Sequence, residues 1–497
     1  MAVNMKHLNL SIFNSKNIIK RGLIISFGVF IFIFILFKVN SLFLPKRINL
    51  PWNISSKIKG FYLQPKNSLD IVFIGSSHAF CTFNPSVFYK EASIKSYVFA
   101  SNEQPLWTSY FYIKEALKYQ KPKAIVLEAF YISETKEFKR EAVNRLNIDY
   151  INASENKHEM IIVSEGEQGL MNIFPSYRYH NRWKKLDYND FNQQEYGFLK
   201  GYSPLFKQSS KEFSPNIKNI VAKPLLEKSK IWLKKIIDYC KEEKVPLIFV
   251  YAPYQVNASH LSHINTLKKT AIDNDITFYN FTDSTLLSTI NYDFTKDMEG
   301  GHVNINGAQK VSRYLAQELK RKYSFEKKDS DDYISLVKRL EIIDSLPKIK
   351  TLNNYINYLK DKDVSIFIAA KDEASAKLTK QLKDLGSTVN WKDKNRWSYI
   401  GIFQPKNNLR TEIIRNERIT YLTNKNLKQP FNLNIESAGY TNGNTAKIYI
   451  NGIDYLKGKS GRGLHFVVYD VLLNKVLDIS YFDTCANSNP ERNKIGG

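Results

Sequence analysis

Four apolar residues, Ile71-Val72-Phe73-Ile74, stop at Gly75 and give way to Ser76 and Ser77, and few folds accommodate such a stretch. A short unbroken apolar run bounded by glycine reads as a strand covered on both faces, as in a parallel sheet packed between helices. A serine just past the carboxyl end of that strand stands at a tight turn. The following helix there offers main-chain N–H groups with no partner of their own. Such donors suit an oxyanion, which acyl transfer through a serine needs. A second stretch, Asp297-Met298-Glu299-Gly300-Gly301-His302, supplies a histidine with acids three and five positions before it, and Asn306-Gly307-Ala308 then opens a helix. Serine, histidine and carboxylate are the parts of a hydrolytic triad.

The surrounding pattern alternates strand and helix. Strands are expected over 71–74, 96–99, 124–130, 246–251 and 277–281, and helices over 85–91, 107–119, 225–243, 260–274 and 306–323. Such alternation implies an α/β domain with a covered parallel sheet, whose sites lie at the carboxyl ends of its strands. Ser77 meets that rule.

Before this domain lies an uncharged run over 22–37 that, with Val39 and the stretch Leu42-Phe43-Leu44 nearby, is just long enough to cross a bilayer, with Lys16, Lys20 and Arg21 in front of it. The basic cluster favours a cytoplasmic N-terminus. A cleaved signal peptide is the rival, but no small-x-small site follows the run. Residues 1–45 are therefore expected to be a tail and signal-anchor with its span about 20–40. Residues 46–66, with Pro45, Pro51 and Pro65 in or beside them, are expected to be a stalk. The chain of 497 residues is long enough for two or three modules. Its net charge of +24 fits anionic lipid or anionic glycan; the scattered lysines, with no arginine-rich tract, make nucleic acid the weakest candidate. Cys81, Cys240 and Cys485 are too dispersed for a disulfide framework or a metal site. Cys81 reads as a small buried thiol behind the serine turn.

The domain is expected over 67–325, interrupted over about 133–222 by a segment rich in Tyr, Trp, Arg and Asn, densest from Phe174 to Trp183. Aromatic rings stack on sugars while Arg178, Arg182 and Asn181 bind hydroxyls or carboxylates, so a glycan-binding lid is one reading. An insertion with its own small aromatic core is the other. His78 either contacts substrate or caps a helix. His260 and His263 lie three apart but lack a third ligand, so no metal is expected.

Gly75-Ser76-Ser77-His78, Asn84-Pro85 and Glu299-Gly300-Gly301-His302-Val303-Asn304 resemble the first and last blocks of the SGNH/GDSL hydrolases. The resemblance is closest to the membrane-anchored branch acting on bacterial surface polysaccharides and to the teichoic-acid D-alanylation proteins. It covers about residues 60–325 and is concentrated at the two ends. It implies a flavodoxin-like three-layer α/β/α fold, Ser77 as nucleophile, His302 as base and Glu299 as acid, with Asp297 the alternative acid one step along the loop. Ser76 stands where the family has an aspartate. Ala100 stands in place of a glycine that donates to the oxyanion. Leu127-Glu128-Ala129-Phe130-Tyr131 lies where a Gly-x-Asn-Asp block belongs, leaving Asn102 as the candidate side-chain donor. Either the oxyanion hole is built differently or activity is weak.

Residues 326–332 form a polar hinge, 333–359 read as helical, and a smaller α+β module follows. Its expected elements are a strand over 364–370, a helix over 374–385, strands over 398–402 and 446–450, and a hairpin-like pair over 464–470 and 476–481. Ile366 to Ser375, Trp397 to Gly401 and Gly461 to Asp470 resemble the interleukin-like EMT inducer (ILEI) domain, with its blocks in reversed order as if circularly permuted. The resemblance implies carbohydrate recognition by residues 333–497. Together these readings describe a single-pass bacterial membrane protein with extracytoplasmic domains. They imply an SGNH-type esterase or O-acyltransferase on a cell-surface glycan, with no cofactor and with a membrane-bound acyltransferase as a partner that could supply acyl groups. The reading from another class is a non-catalytic glycan-binding or polysaccharide-assembly protein on a decayed hydrolase scaffold.

Overall fold

The computed structural model describes residues 9–47, 50–133, 141–186, 190, 197–209, 220–326, 329–373, 379–424, 431–457, 461–485 and 489–494. The chain divides into two units, Met1–Tyr333 and Ile334–Gly497. Both mix helices with sheet, and the first holds a parallel sheet.

In the first unit β1 (Ile71–Gly75), β2 (Ser96–Ala100), β3 (Ala124–Glu128), β4 (Leu247–Tyr251) and β5 (Thr277–Asn280) form one parallel sheet in the order β2-β1-β3-β4-β5. Every residue of β1, β2, β3 and β4 is buried, which accounts for the unbroken apolar runs of the sequence. Strand order reverses between β1 and β3. The crevice outside their carboxyl ends is where a parallel sheet of this kind places a ligand. Two helix pairs cover the sheet. Leu106–Tyr119 meets Glu227–Glu242 through Tyr110, Phe111 and Trp232. Pro85–Ala92 and Ile305–Lys322 are linked where the Asn84 N–H donates to Ser312 Oγ and Arg313 pairs with Glu91.

Residues 46–66 are not a free stalk. Ile54, Ile58 and Phe61 recur at helical spacing, and the helix Ile54–Tyr62 buries all three in the core of this unit, Phe61 stacking on Phe99 at 4.1 Å. Nor does the interruption keep a core apart. Ile148, Met160 and Ile161, from helices Glu141–Ile148 and Glu155–Glu165, join the main core. The helix Asn9–Leu42 contains a stretch, Ile19–Leu42, that is long and apolar enough to cross a membrane, with mean hydropathy 2.6 and none of its described side chains buried.

The second unit is built on a sheet that includes Ser365–Asp372, flanked by the antiparallel strands Gly463–Asp470 and Ser398–Gln404. Alternate residues of these strands enter different cores. Ile366, Ile368, Phe466 and Val468 pack in one; Phe367, Ala369, Val467 and Tyr469 pack in the other. Strands Leu409–Arg415, Ile419–Thr423 and Leu433–Gly439 extend this sheet beyond the elements expected from the sequence. The helical stretch expected over 333–359 is broken into Asp331–Ser345, a turn at Leu346–Lys348 and Leu352–Leu359, because Pro347 cannot supply a helical N–H. Of the helix expected over 374–385, residues 374–378 lie outside the described residues; Thr379–Lys383 is helical.

Candidate active site

Gly75 ends β1 with φ +153°, and a Cβ there would fall 2.8 Å from Glu128 Cβ, so the chain turns where only glycine fits. Ser76 is extended and N-caps the short helix Ser77–Thr82, its Oγ accepting the His78 N–H at 3.2 Å. Ser77 is thereby set on the first helical residue, 6% exposed, and among the described residues its own N–H has no protein partner.

The strands Met298–Glu299 and His302–Val303 pair around Gly300, whose φ of +58° makes the reversal. This hairpin delivers His302 to the serine, with Nε2 2.9 Å from Ser77 Oγ. The ring is seated between neighbours. His78 stacks on it at 4.7 Å and Trp52 meets it edge-on at 5.5 Å. Burial lowers the His302 pKa, and the nearby Glu299 carboxylate opposes that shift, so the imidazole is neutral at pH 7 and able to accept a proton. Buried among aromatics and facing His302 and His260, His78 is held well below its usual pKa; among the described residues its Nδ1 has no hydrogen-bond partner.

The two candidate acids are placed differently. Glu299 is directly opposite His302 in the hairpin, where paired side chains share a face. Its Oε2 accepts the Lys207 N–H at 2.7 Å, and among the described residues no hydrogen bond joins it to His302. Asp297 is 1% exposed, pairs with Lys310 at 2.6 Å and accepts the Asp293 N–H at 2.7 Å. It ties the loop to the Ile305–Lys322 helix. Lys207 also accepts at its carbonyl from Asn304 Nδ2, so one main-chain segment holds both Glu299 and the N-cap of that helix.

Ala100 ends β2 directly beside Gly75, next to the serine turn. Asn102 follows with its Oδ1 buried and, among the described residues, without a hydrogen-bond partner. Arg178, Arg182 and Trp183 are engaged elsewhere. Arg178 pairs with Glu165 at 3.9 Å, and Arg182 donates to the Leu42 and Phe43 carbonyls and pairs with Asp190. Trp183 is exposed, with Lys184 over its ring. The Cys81 thiol is fully buried and pushed up to about 12, which leaves it unreactive. His260 belongs to a capping box with Asn257, and among the described residues no three metal-binding side chains gather.

Three contributors were not identified from the sequence. Glu128, at the carboxyl end of β3, receives the Ser76 hydroxyl at 3.3 Å and the Phe130 N–H at 3.0 Å. Burial pushes its carboxyl up to about 8 against hydrogen bonds from Phe130, Ala252 and Ser76, so it sits neutral beneath the serine turn at pH 7. Trp52 was hidden in the supposed stalk. Tyr254 meets His78 edge-on at 5.3 Å and, with Gln208, Gln255, Gly300 and Gly301, lines a cleft of about 540 Å³ beside the hairpin that carries His302. No protein-family model and no curated protein matches the chain.

Proposed function

We propose that the chain is a membrane-anchored, extracytoplasmic serine esterase or O-acyltransferase acting on a cell-surface glycan. The observation that carries this reading is the 2.9 Å approach of Ser77 Oγ to an imidazole kept neutral by burial. Ser77 Oγ attacks the ester carbonyl carbon as its proton passes to His302 Nε2, and the Ser77 N–H is available to the oxyanion. The C–O bond to the leaving alcohol breaks, and the alcohol takes the proton from His302. The same imidazole then activates water or a sugar hydroxyl, which releases the acyl group from Ser77 as free acid or new ester. The cleft bounded by Tyr254, Gln208 and Gln255 suits a polar sugar bearing an ester. Glycan as the substrate class and a membrane-bound acyltransferase as donor rest on the resemblance to the SGNH hydrolases. The basic cluster before residue 22 supports an outward-facing chain.

One observation favours a second reading, glycan binding without turnover: the Glu299 carboxylate is occupied by Lys207 rather than bonded to His302. Assay of the full chain on an O-acetylated oligosaccharide separates the two. Ser77→Ala and His302→Ala should each abolish release or transfer of acetate while leaving the fold intact. Turnover undiminished in Ser77→Ala would refute the mechanism.

A further inference from the structure

The segment 171–185 lies in the interruption over about 133–222, whose composition suggests a glycan-binding lid or an insertion with a small aromatic core, and its contacts give it another place. The apolar run of the N-terminal helix ends at Phe37, before Lys38. At about 1.5 Å per residue, Asn40 to Leu42 lie roughly 5–8 Å beyond it, the thickness of the headgroup layer outside a hydrocarbon core of about 30 Å. The segment is bonded at that level. The Ser176 N–H donates to Asn40 Oδ1 at 2.8 Å, and the Arg182 guanidinium donates to the Leu42 and Phe43 carbonyls at 3.0 and 3.1 Å. Lys46 and Arg182 both bond Asp190, and Tyr150 donates to the Pro45 carbonyl at 2.7 Å, so the helix end is clasped by the segment and its neighbours.

The side chains left outward are those that settle at a membrane interface. Phe174, Tyr177 and Trp183 are 48%, 59% and 62% exposed, and Met171 is exposed beside them. Between residues 171 and 185 the basic side chains are Arg178, Arg182, Lys184 and Lys185, with no acid among them. Arg178 and Arg182 are paired inward, while Lys184 and Lys185 are exposed. Tryptophan and tyrosine concentrate at headgroup depth, and lysines there meet anionic lipid.

We propose that residues 171–185 seat on the bilayer surface around the N-terminal span, with Phe174, Tyr177 and Trp183 in the headgroup layer and Lys184 and Lys185 facing anionic lipid. This rests on the reading of Ile19–Leu42 as a span. The domain is then held to the membrane by two attachments, one crossing it and one lying on it.

The test uses the full chain in nanodiscs of phosphatidylcholine and phosphatidylglycerol. Nitroxide labels are placed singly at Phe174→Cys, Trp183→Cys and Ile31→Cys, and relaxation by oxygen is compared with relaxation by a water-soluble nickel chelate. All three positions are exposed, so labelling leaves the core untouched. The oxygen-to-nickel ratio should be highest at position 31 and intermediate at 174 and 183, above that of the same label free in buffer. If the ratio at 174 and 183 equals that in buffer while 31 reports hydrocarbon, the surface seat is overturned and the span stands. If nickel dominates at 31, both are overturned.

Discussion

His302 can act as a base only while its imidazole is unprotonated, and burial and Glu299 pull that equilibrium in opposite directions. Burial is the larger effect, so the acid limb of kcat/KM should lie below the ordinary histidine value of about 6.5. Removing the Glu299 charge removes the opposing influence. Glu299→Gln should therefore move that limb further down and lower turnover roughly tenfold to ten-thousandfold, as loss of an orienting acid does in other triads. Asp297→Asn should leave the limb in place and instead lower stability by about 1–3 kcal/mol, because it weakens the bonds to Lys310 and Asp293. A pH–rate profile and a urea melt of both variants check this, and a shifted limb in Asp297→Asn would reassign the acid. At this scale Ser77 and His302 were legible because glycine-flanked turns next to a buried strand or between acids leave few alternatives. Glu128 was not, since a carboxylate at a strand end usually faces water. Its burial follows from tertiary packing under Gly75, which a linear pattern does not carry.

The parallel strands β1 to β4 and the covering helices follow the apolar runs closely, because each of these strands is buried on both faces and so leaves a continuous trace, whereas β5 is mostly half-buried. Segments with one exposed face were harder. Leu409–Arg415 carries Arg410, Glu412 and Arg415, which mask a ladder pairing each residue with Ser398–Gln404. The helix Ile54–Tyr62 was masked by flanking prolines and by Lys57 and Lys59. Lys57 is in fact buried, bonded to Asn53 and the Pro51 carbonyl and set over the Phe80 ring at 4.2 Å. Burial lowers it to about 7. The same stretch presents Trp52 to both Phe80 and His302. An edge-on aromatic contact contributes about 0.5–1.5 kcal/mol. Trp52→Ala should therefore lower kcat/KM roughly two- to tenfold with the melting temperature little changed. Unaltered kinetics would remove this segment from the site.

At the scale of the whole molecule the division between Tyr333 and Ile334 falls at the far edge of the polar hinge expected over 326–332. Tyr333 is anchored in the first unit by its hydroxyl, which donates to the Ser96 carbonyl, and Lys200 pairs with Asp332. The second unit has its own two cores, one on each face of its sheet, and a pocket of about 360 Å³ lined in part by Phe367, Tyr421 and Phe431. Residues 334–497 expressed alone should give a cooperative thermal transition and weak binding on a glycan array, lost in Tyr421→Ala. A folded fragment with no binding would retire the sugar-binding role. What makes the full chain an enzyme on this account is one activated hydroxyl, and it can be read directly. Intact full-length protein treated with a fluorophosphonate and analysed by mass spectrometry should carry a single adduct that maps to Ser77, absent in both Ser77→Ala and His302→Ala. A native chain that stays unlabelled, or an adduct that persists in Ser77→Ala, would contradict the account.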